Sequence, residues 1–276
     1  MIKNKNIFIP GGRGSIGEEV VRQLAPYNRI FILDIDEDVF NLVEEMKLKG
    51  YDVDGRVGSI LDKEMLDKVR TLFGSPDWIF NCAARKYVTP MQDTPLEAIN
   101  VNCIGTLNLL EFSKKYNSKF ICVSSDKAVN TESVMGWSKR GAEILTKIYG
   151  GIIVRFGNVL GSKGSVIPIW QKQISNNEPL TVTDERMTRY MMTIPEAVSL
   201  IIEAAEIGIP KDTLIMKMGN PINILELAQK ILKESRSSVG IKMIGTREGE
   251  SLEERLMTQE EEKRAVETDK FYIIHG

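Results

Sequence analysis

The chain has 276 residues, 42% of them apolar and 27% charged, with a formal net charge of −2. That length allows one large α/β domain, or one with a smaller appendage, and the near-balanced charge leaves no electrostatic footprint for nucleic acid. Three scattered cysteines (Cys82, Cys103, Cys122) and a single histidine, His275, exclude a disulfide framework and a dedicated transition-metal site, and read as thiols of a reducing cytoplasm.

In chain order, Ile7–Ile9 reads as a strand and Ile16–Leu24 as a helix. Ile30–Leu33 (strand), Val39–Lys49 (helix), Asp52–Val57 (strand), Lys63–Phe73 (helix) and Trp78–Cys82 (strand) follow. Leu96–Tyr116 reads as one long helix, Lys119–Ser124 as a strand, Gly136–Tyr149 as a helix and Gly151–Phe156 as a sixth strand. Near-continuously apolar strands alternating with amphipathic helices mark βαβ units: a Rossmann-like, doubly wound parallel sheet of the α/β class. Past Phe156 the rhythm breaks. A helix is expected around Ile169–Ser175, a strand at Leu180–Thr183, a helix at Pro195–Glu206 and a strand at Leu214–Met218 that rejoins the sheet. Ile224–Glu234 (helix) and Ile241–Ile244 (strand) come next, and Gln259–Arg264 is charge-dense enough to read as a solvated helix or loop. The division expected is a dinucleotide-binding domain over 1–160 and a small, partly discontinuous substrate lobe mainly over 161–276. No secretory h-region and no apolar run of about 20 residues is present, so no membrane partner is expected.

Gly11-Gly12-Arg13-Gly14-Ser15-Ile16-Gly17 joins the first strand to the first helix. Glycines at that junction permit a tight turn and close approach to a pyrophosphate, which the helix N-terminus attracts. Asp34 closes the second strand, where a carboxylate takes ribose hydroxyls and repels a 2′-phosphate; Asp36, Glu37 and Asp38 reinforce the repulsion. NAD is therefore the expected cofactor, with Arg13 the one residue that favours NADP.

Ser124-Ser125-Asp126-Lys127 ends the fifth strand, and Met135-Gly136-Trp137-Ser138-Lys139 opens the next helix. Two readings of Asp126 and Lys127 stand: an acid/base pair, or a turn cap beside a surface charge. Their place at the carboxyl end of a parallel strand, near the switch point, favours the first. Arg186, Arg189, Arg247 and Glu250 are candidates for a nucleotide diphosphate and its ribose, against a plain reading as surface ion pairs. Trp137 and Trp170 read as packing.

These segments, together with Arg155-Phe156-Gly157-Asn158-Val159-Leu160-Gly161-Ser162, Thr183-Asp184-Glu185-Arg186-Met187-Thr188-Arg189-Tyr190 and Ile244-Gly245-Thr246-Arg247-Glu248-Gly249-Glu250, resemble the extended short-chain dehydrogenase/reductases. More narrowly, the chain resembles the UDP-N-acetylglucosamine 4,6-dehydratases of polysaccharide biosynthesis. The resemblance implies oxidation at sugar C4, elimination of water across C5 and C6, and hydride return to C6. It implies catalytic roles for Asp126, Lys127 and Ser125, and a cofactor ribose role for Lys139. Met135 occupies the place of the usual catalytic tyrosine and has no proton to give, so either the enzyme is inactive or its proton chemistry has moved to Asp126 and Lys127; some dehydratases of this kind share the methionine. Ser59 and Ile60 match positions near adenine, and Ala83, Ala84, Lys86 and Asn102 match positions near the nicotinamide and sugar. Asn158, Ser165, Val166 and Thr181 match the substrate side, as does Lys86. Pro10, Ser59 and Gln92 depart from the family's usual threonine, aspartate and glutamate. Many members carry membrane-spanning segments ahead of this domain, and the chain reads as a cytoplasmic form of it. A nucleotide-sugar 4-epimerase and a non-catalytic dinucleotide sensor are the rivals, and a homodimer or larger homo-oligomer, paired through Leu96–Tyr116 and Gly136–Tyr149, is expected.

Overall fold

The computed structural model describes residues 1–276. Six strands, β1 (Asn6–Pro10), β2 (Arg29–Asp34), β3 (Val53–Val57), β4 (Trp78–Asn81), β5 (Lys119–Ser125) and β6 (Ile152–Phe156), run parallel in the order 6-5-4-1-2-3. The strand Thr213–Met216 adds parallel to β6, Phe271–Ile274 adds antiparallel to it, and Val266–Glu267 forms the edge. Successive residues of β1 enter opposite cores. Ile7 and Ile9 pack with α1 (Ser15–Leu24), α2 (Val39–Leu48) and α9 (Ile194–Ile207), while Phe8 packs with α3 (Lys63–Phe73) and α6 (Thr106–Tyr116). That two-sided burial is why the strands read as continuous apolar runs.

The stretch expected as one helix is instead three joined pieces: α5 (Pro95–Ile99), a π turn (Asn100–Gly105) and α6. A short helix, α4 (Val88–Asp93), precedes them and was not expected. Gln259–Arg264, read as solvated, is a helix (α11) whose Glu261 is buried against Arg155. After residue 161 the chain divides its contacts. Trp170 of α8 (Val166–Ser175), Leu180, Val182, Met187, and Ile224 and Ala228 of α10 (Ile224–Ser235) form a separate small core, while the last strands complete the main sheet. No helix is long and apolar enough to cross a membrane, and no three His, Cys, Asp or Glu side chains are placed to hold a metal ion.

Because β4 lies on the side of β1 opposite β2, the chain reverses its winding between β1 and β4. A crevice opens at such a reversal, beyond the carboxyl ends of the strands.

Candidate active site

That crevice is a cavity of about 860 Å³ lined from the ends of β1, β2, β4, β5 and β6 and from the small lobe. Its floor begins at Gly11, in the left-handed region at φ +76°, where a Cβ would stand 2.4 Å from the Ala83 nitrogen. Only glycine lets the turn close against the segment after β4. No side chain caps α1 at Gly14, so first-turn amides are left for a ligand. Arg13, Gly14, Ser15, Ile16 and Gly17 line the cavity, with Ser59, Ile60, Ala83 and Ala84. Asp34 accepts the Arg13 backbone N–H at 2.8 Å and the Asp36 N–H at 3.1 Å. The Arg13 guanidinium is held by the carboxylates of Glu18 and Asp38. The residue that sequence offered as a 2′-phosphate acceptor is therefore already paired with acids.

At the end of β5, Ser125 and not Asp126 caps the following turn: its Oγ accepts the Lys127 N–H at 3.1 Å and donates to Asp126 Oδ1 at 2.7 Å. Asp126 is fully buried, and Lys127 is no surface charge. Lys127 Nζ donates to Asp126 Oδ1 and to Asn158 Oδ1, each at 3.0 Å, and lies 3.6 Å from Glu254 Oε1. Ser125, Lys127 and Glu254 face the cavity; Asp126 stands behind them, its Oδ2 buried without a partner.

The helix α7 (Val134–Ile148), capped by Ser133, starts hard against this turn. A Cβ at Gly136 would sit 2.4 Å from the Lys127 carbonyl oxygen, so glycine there sets the approach. The helix presents Met135 and Lys139 to the cavity. Met135 is buried with Met91 and Ala98, and Lys139 donates to the Val123 carbonyl at 2.7 Å.

Across the cavity Lys86 donates to the Lys163 carbonyl at 2.6 Å. Burial and the Lys163 charge push its pKa down. Lys163 in turn donates to Ser15 Oγ through its N–H and to the Arg13 carbonyl through its Nζ, tying the loop after β6 to the glycine turn. Ser165, its hydroxyl buried and unpartnered, lines the cavity with Val166, Thr181, Asn158, Arg247 and Glu250.

Two expected site residues lie elsewhere. Arg186 is exposed and gripped by Asp184 through two hydrogen bonds of 2.8 and 2.9 Å, so it leaves the cavity. Asn102 is buried beneath the site, where it joins the Arg85 backbone to Ser138. Arg189 reaches the rim but spends its guanidinium on the carbonyls of Thr188, Ser251 and Leu252. Sequence reasoning missed Lys163 and Glu254. A basic residue within a glycine loop was a signal for the first; Glu254, in a run of charges, offered none.

Residues 7–276 match a family model described as polysaccharide biosynthesis protein, and the chain belongs to that family. It is 37% identical over 281 residues to the probable polysaccharide biosynthesis protein EpsC of Bacillus subtilis, covering 94% of this chain and 46% of EpsC. The chain thus spans about half the length of that relative. It is 33% identical to a protein named UDP-glucose 4-epimerase from Rickettsia bellii, over 99% of this chain and 84% of the other. Among solved structures, Pen from Bacillus thuringiensis superposes with a TM-score of 0.93 at 31% identity, covering 99% and 89% of the two chains. A double mutant of DesIV of Streptomyces venezuelae, a dTDP-glucose 4,6-dehydratase solved with NAD bound, superposes with a TM-score of 0.79 at 18% identity, over 89% and 86%, and shares the Rossmann-like fold.

Proposed function

We propose that the chain is an NAD-dependent UDP-N-acetylglucosamine 4,6-dehydratase, a lyase that forms a UDP-4-keto-6-deoxy-N-acetylhexosamine for polysaccharide synthesis. The observation that carries this reading is the cluster of Ser125, Asp126, Lys127 and Asn158 beside a methionine. Epimerisation at C4 needs one group to move the O4 proton; elimination across C5 and C6 needs a base and an acid together. Here the tyrosine position holds Met135, which titrates nothing, and the ionisable groups are gathered around Lys127.

The residues present fit a dinucleotide. The glycine turn and the uncapped α1 suit its pyrophosphate, and Asp34 suits the ribose hydroxyls. When bound, NAD supplies the hydride chemistry at C4 and C6. The chain's residues do the rest. Lys139 holds the ribose, Ser125 turns its one O–H from Asp126 toward the sugar O4, and the Asp126–Lys127 pair accepts the C5 proton. Lys86 from the segment after β4, and Arg247 and Glu250 from beyond the small core, face the UDP-sugar, and Lys163 bridges the two sides. The free thiols Cys82, Cys103 and Cys122 favour a cytoplasmic setting.

The name of the Rickettsia bellii relative favours a second reading, a UDP-sugar 4-epimerase. Incubation with UDP-N-acetylglucosamine and mass spectrometry separates the two. A dehydratase gives a product lighter by one water and an epimerase an isomer of equal mass; no product at all returns the fold to a dinucleotide sensor.

A further inference from the structure

Glu254 sits in irregular backbone between α10 and α11, yet it alone of Glu253, Glu254 and Arg255 turns inward. Two buried arginines fix the backbone around it. Arg189 donates to the Ser251 and Leu252 carbonyls at 2.8 and 3.0 Å, and Arg155 donates to the Leu256 carbonyl at 3.0 Å. The result is a side chain 4% exposed whose Oε1 lies 3.6 Å from Lys127 Nζ and whose Oε2 is buried with no partner. Unpartnered buried oxygens are costly and rarely kept without a use. Asp126, the other carboxyl on Lys127, stands behind the cavity wall, whereas Glu254 lines the cavity itself.

We propose that Glu254 is the acid that protonates the leaving C6 oxygen, with Lys127 as the relay that returns its proton. The inference rests on the dehydratase reading above. The groups facing Glu254 are Lys127 and Asp126 from the turn after β5 and Arg189 from the strand Thr188–Arg189. Glu254 Oε2 receives no donor, and burial, with Asp126 beside it, raises the Glu254 pKa against the pull of Lys127 and Arg189, which favours its protonated form.

The proton count then closes. The C5–H bond breaks, its electron pair forms the C5–C6 double bond, and its proton goes to Lys127 Nζ as Lys127 hands one of its own to Asp126 Oδ1. The C6–O bond breaks and the oxygen takes the Glu254 proton, leaving as water. Glu254 is now a carboxylate beside Lys127, which passes it the proton the pair gained. The net charge of the cluster is the same at each stage, so no charge is created in a buried site.

Glu254→Gln keeps shape and removes the proton. With UDP-N-acetylglucosamine in deuterated water, the variant should still exchange the C5 hydrogen near the parental rate. Its water loss should fall roughly 10²–10⁴-fold, the scale of general acid catalysis. Its water-loss pH profile should also lack the alkaline fall that the parent shows as Glu254 deprotonates. Equal loss of exchange and water loss would mean a structural role, and parental water loss would mean none; either overturns the inference and leaves the dehydratase reading intact. A parent chain that forms no dehydrated product overturns both. Should the glutamine variant not fold, Glu254→Asp keeps an acid one methylene too short, and it must lose dehydration more than exchange for the inference to stand.

Discussion

At the scale of single residues, the missing tyrosine is a matter of which atoms beside Met135 hold protons. Met135 is enclosed by Met91 and Ala98, so its work is packing. Met135→Leu conserves volume and apolarity and should keep most of the turnover. Asp126→Asn keeps the bonds to Ser125 and Lys127 in outline but removes the charge that balances Lys127, and kcat should fall roughly 10²–10⁴-fold. Cofactor binding should survive in both, since the glycine turn is untouched; parental turnover in Asp126→Asn would send the search for the base to Lys86. The cofactor choice is equally local. Asp34 fixes the Arg13 amide while Glu18 and Asp38 occupy its guanidinium. Asp34→Ala should relax discrimination between NAD and NADP, and a parent chain that binds NADP more tightly would show that Arg13 escapes its carboxylates.

At the scale of elements, the site is held from behind by a buried ionic strut. Arg155, in the middle of the sheet, binds Glu143 of α7 and Glu261 of α11, and Glu143 also accepts from Ser124 Oγ at 2.7 Å. Arg155→Met would leave two buried carboxylates sharing only the half-exposed Arg140, at 2.9 and 3.7 Å, a change on the order of 3 kcal/mol. Calorimetry should show a markedly lower Tm, with the segment carrying Glu254 the first to gain hydrogen exchange. Burial opposes ionisation of Glu261, but the Arg155 hydrogen bonds and charge win and lower its pKa from 4.5 to about 2. A lowered carboxyl stabilises the fold above the unfolded value and loses that contribution as pH falls from 4.5 toward about 2. Glu261→Gln should therefore show a smaller drop in Tm between pH 5 and pH 3 than the parent; an equal drop would assign the acid sensitivity to Glu143 or other carboxylates. This strut also marks the limit of what the sequence disclosed. β1 to β6 were legible because both faces are buried, and the glycine turn because no other residue fits against Ala83. The π turn at Asn100–Gly105 was hidden inside a good helical pattern, and α4 by its brevity and Pro90. Glu254 and Glu261 lay in charge-rich segments that look solvated until Arg155 and Arg189, far away in the chain, are folded onto them. Arg186 is placed differently from the motif match: it is paired with Asp184 two residues earlier and lies outside the cavity.

At the scale of the whole molecule, α7 has one face more than a single chain uses. Met135 and Lys139 face the cavity, and Ala142 enters the core shared with α6. Trp137, Ile144 and Ile148 point outward with 55%, 49% and 68% of their surface exposed. At about 100° per residue these three fall on one narrow stripe of the helix. Leu96 on α5 and Ile104 in the π turn add exposed apolar surface, at 70% and 44%, on the segment that packs beside α7. Apolar surface gathered in this way is unusual on a monomer, and a helix pair meeting its own copy about a two-fold axis would bury it as a four-helix bundle. The parent chain should therefore run in light scattering as a dimer or a larger even assembly. Ile144→Glu combined with Ile148→Glu places four like charges in that interface and should yield a monomer. Because neither residue touches the glycine turn or the Lys127 cluster, the monomer should retain dinucleotide binding. The stripe sits on the opposite side of the helix that carries Met135 and Lys139, so loss of the partner should loosen the cavity wall and lower turnover more than affinity. A parent chain that is monomeric at all concentrations would show that the stripe is covered by something other than a second copy.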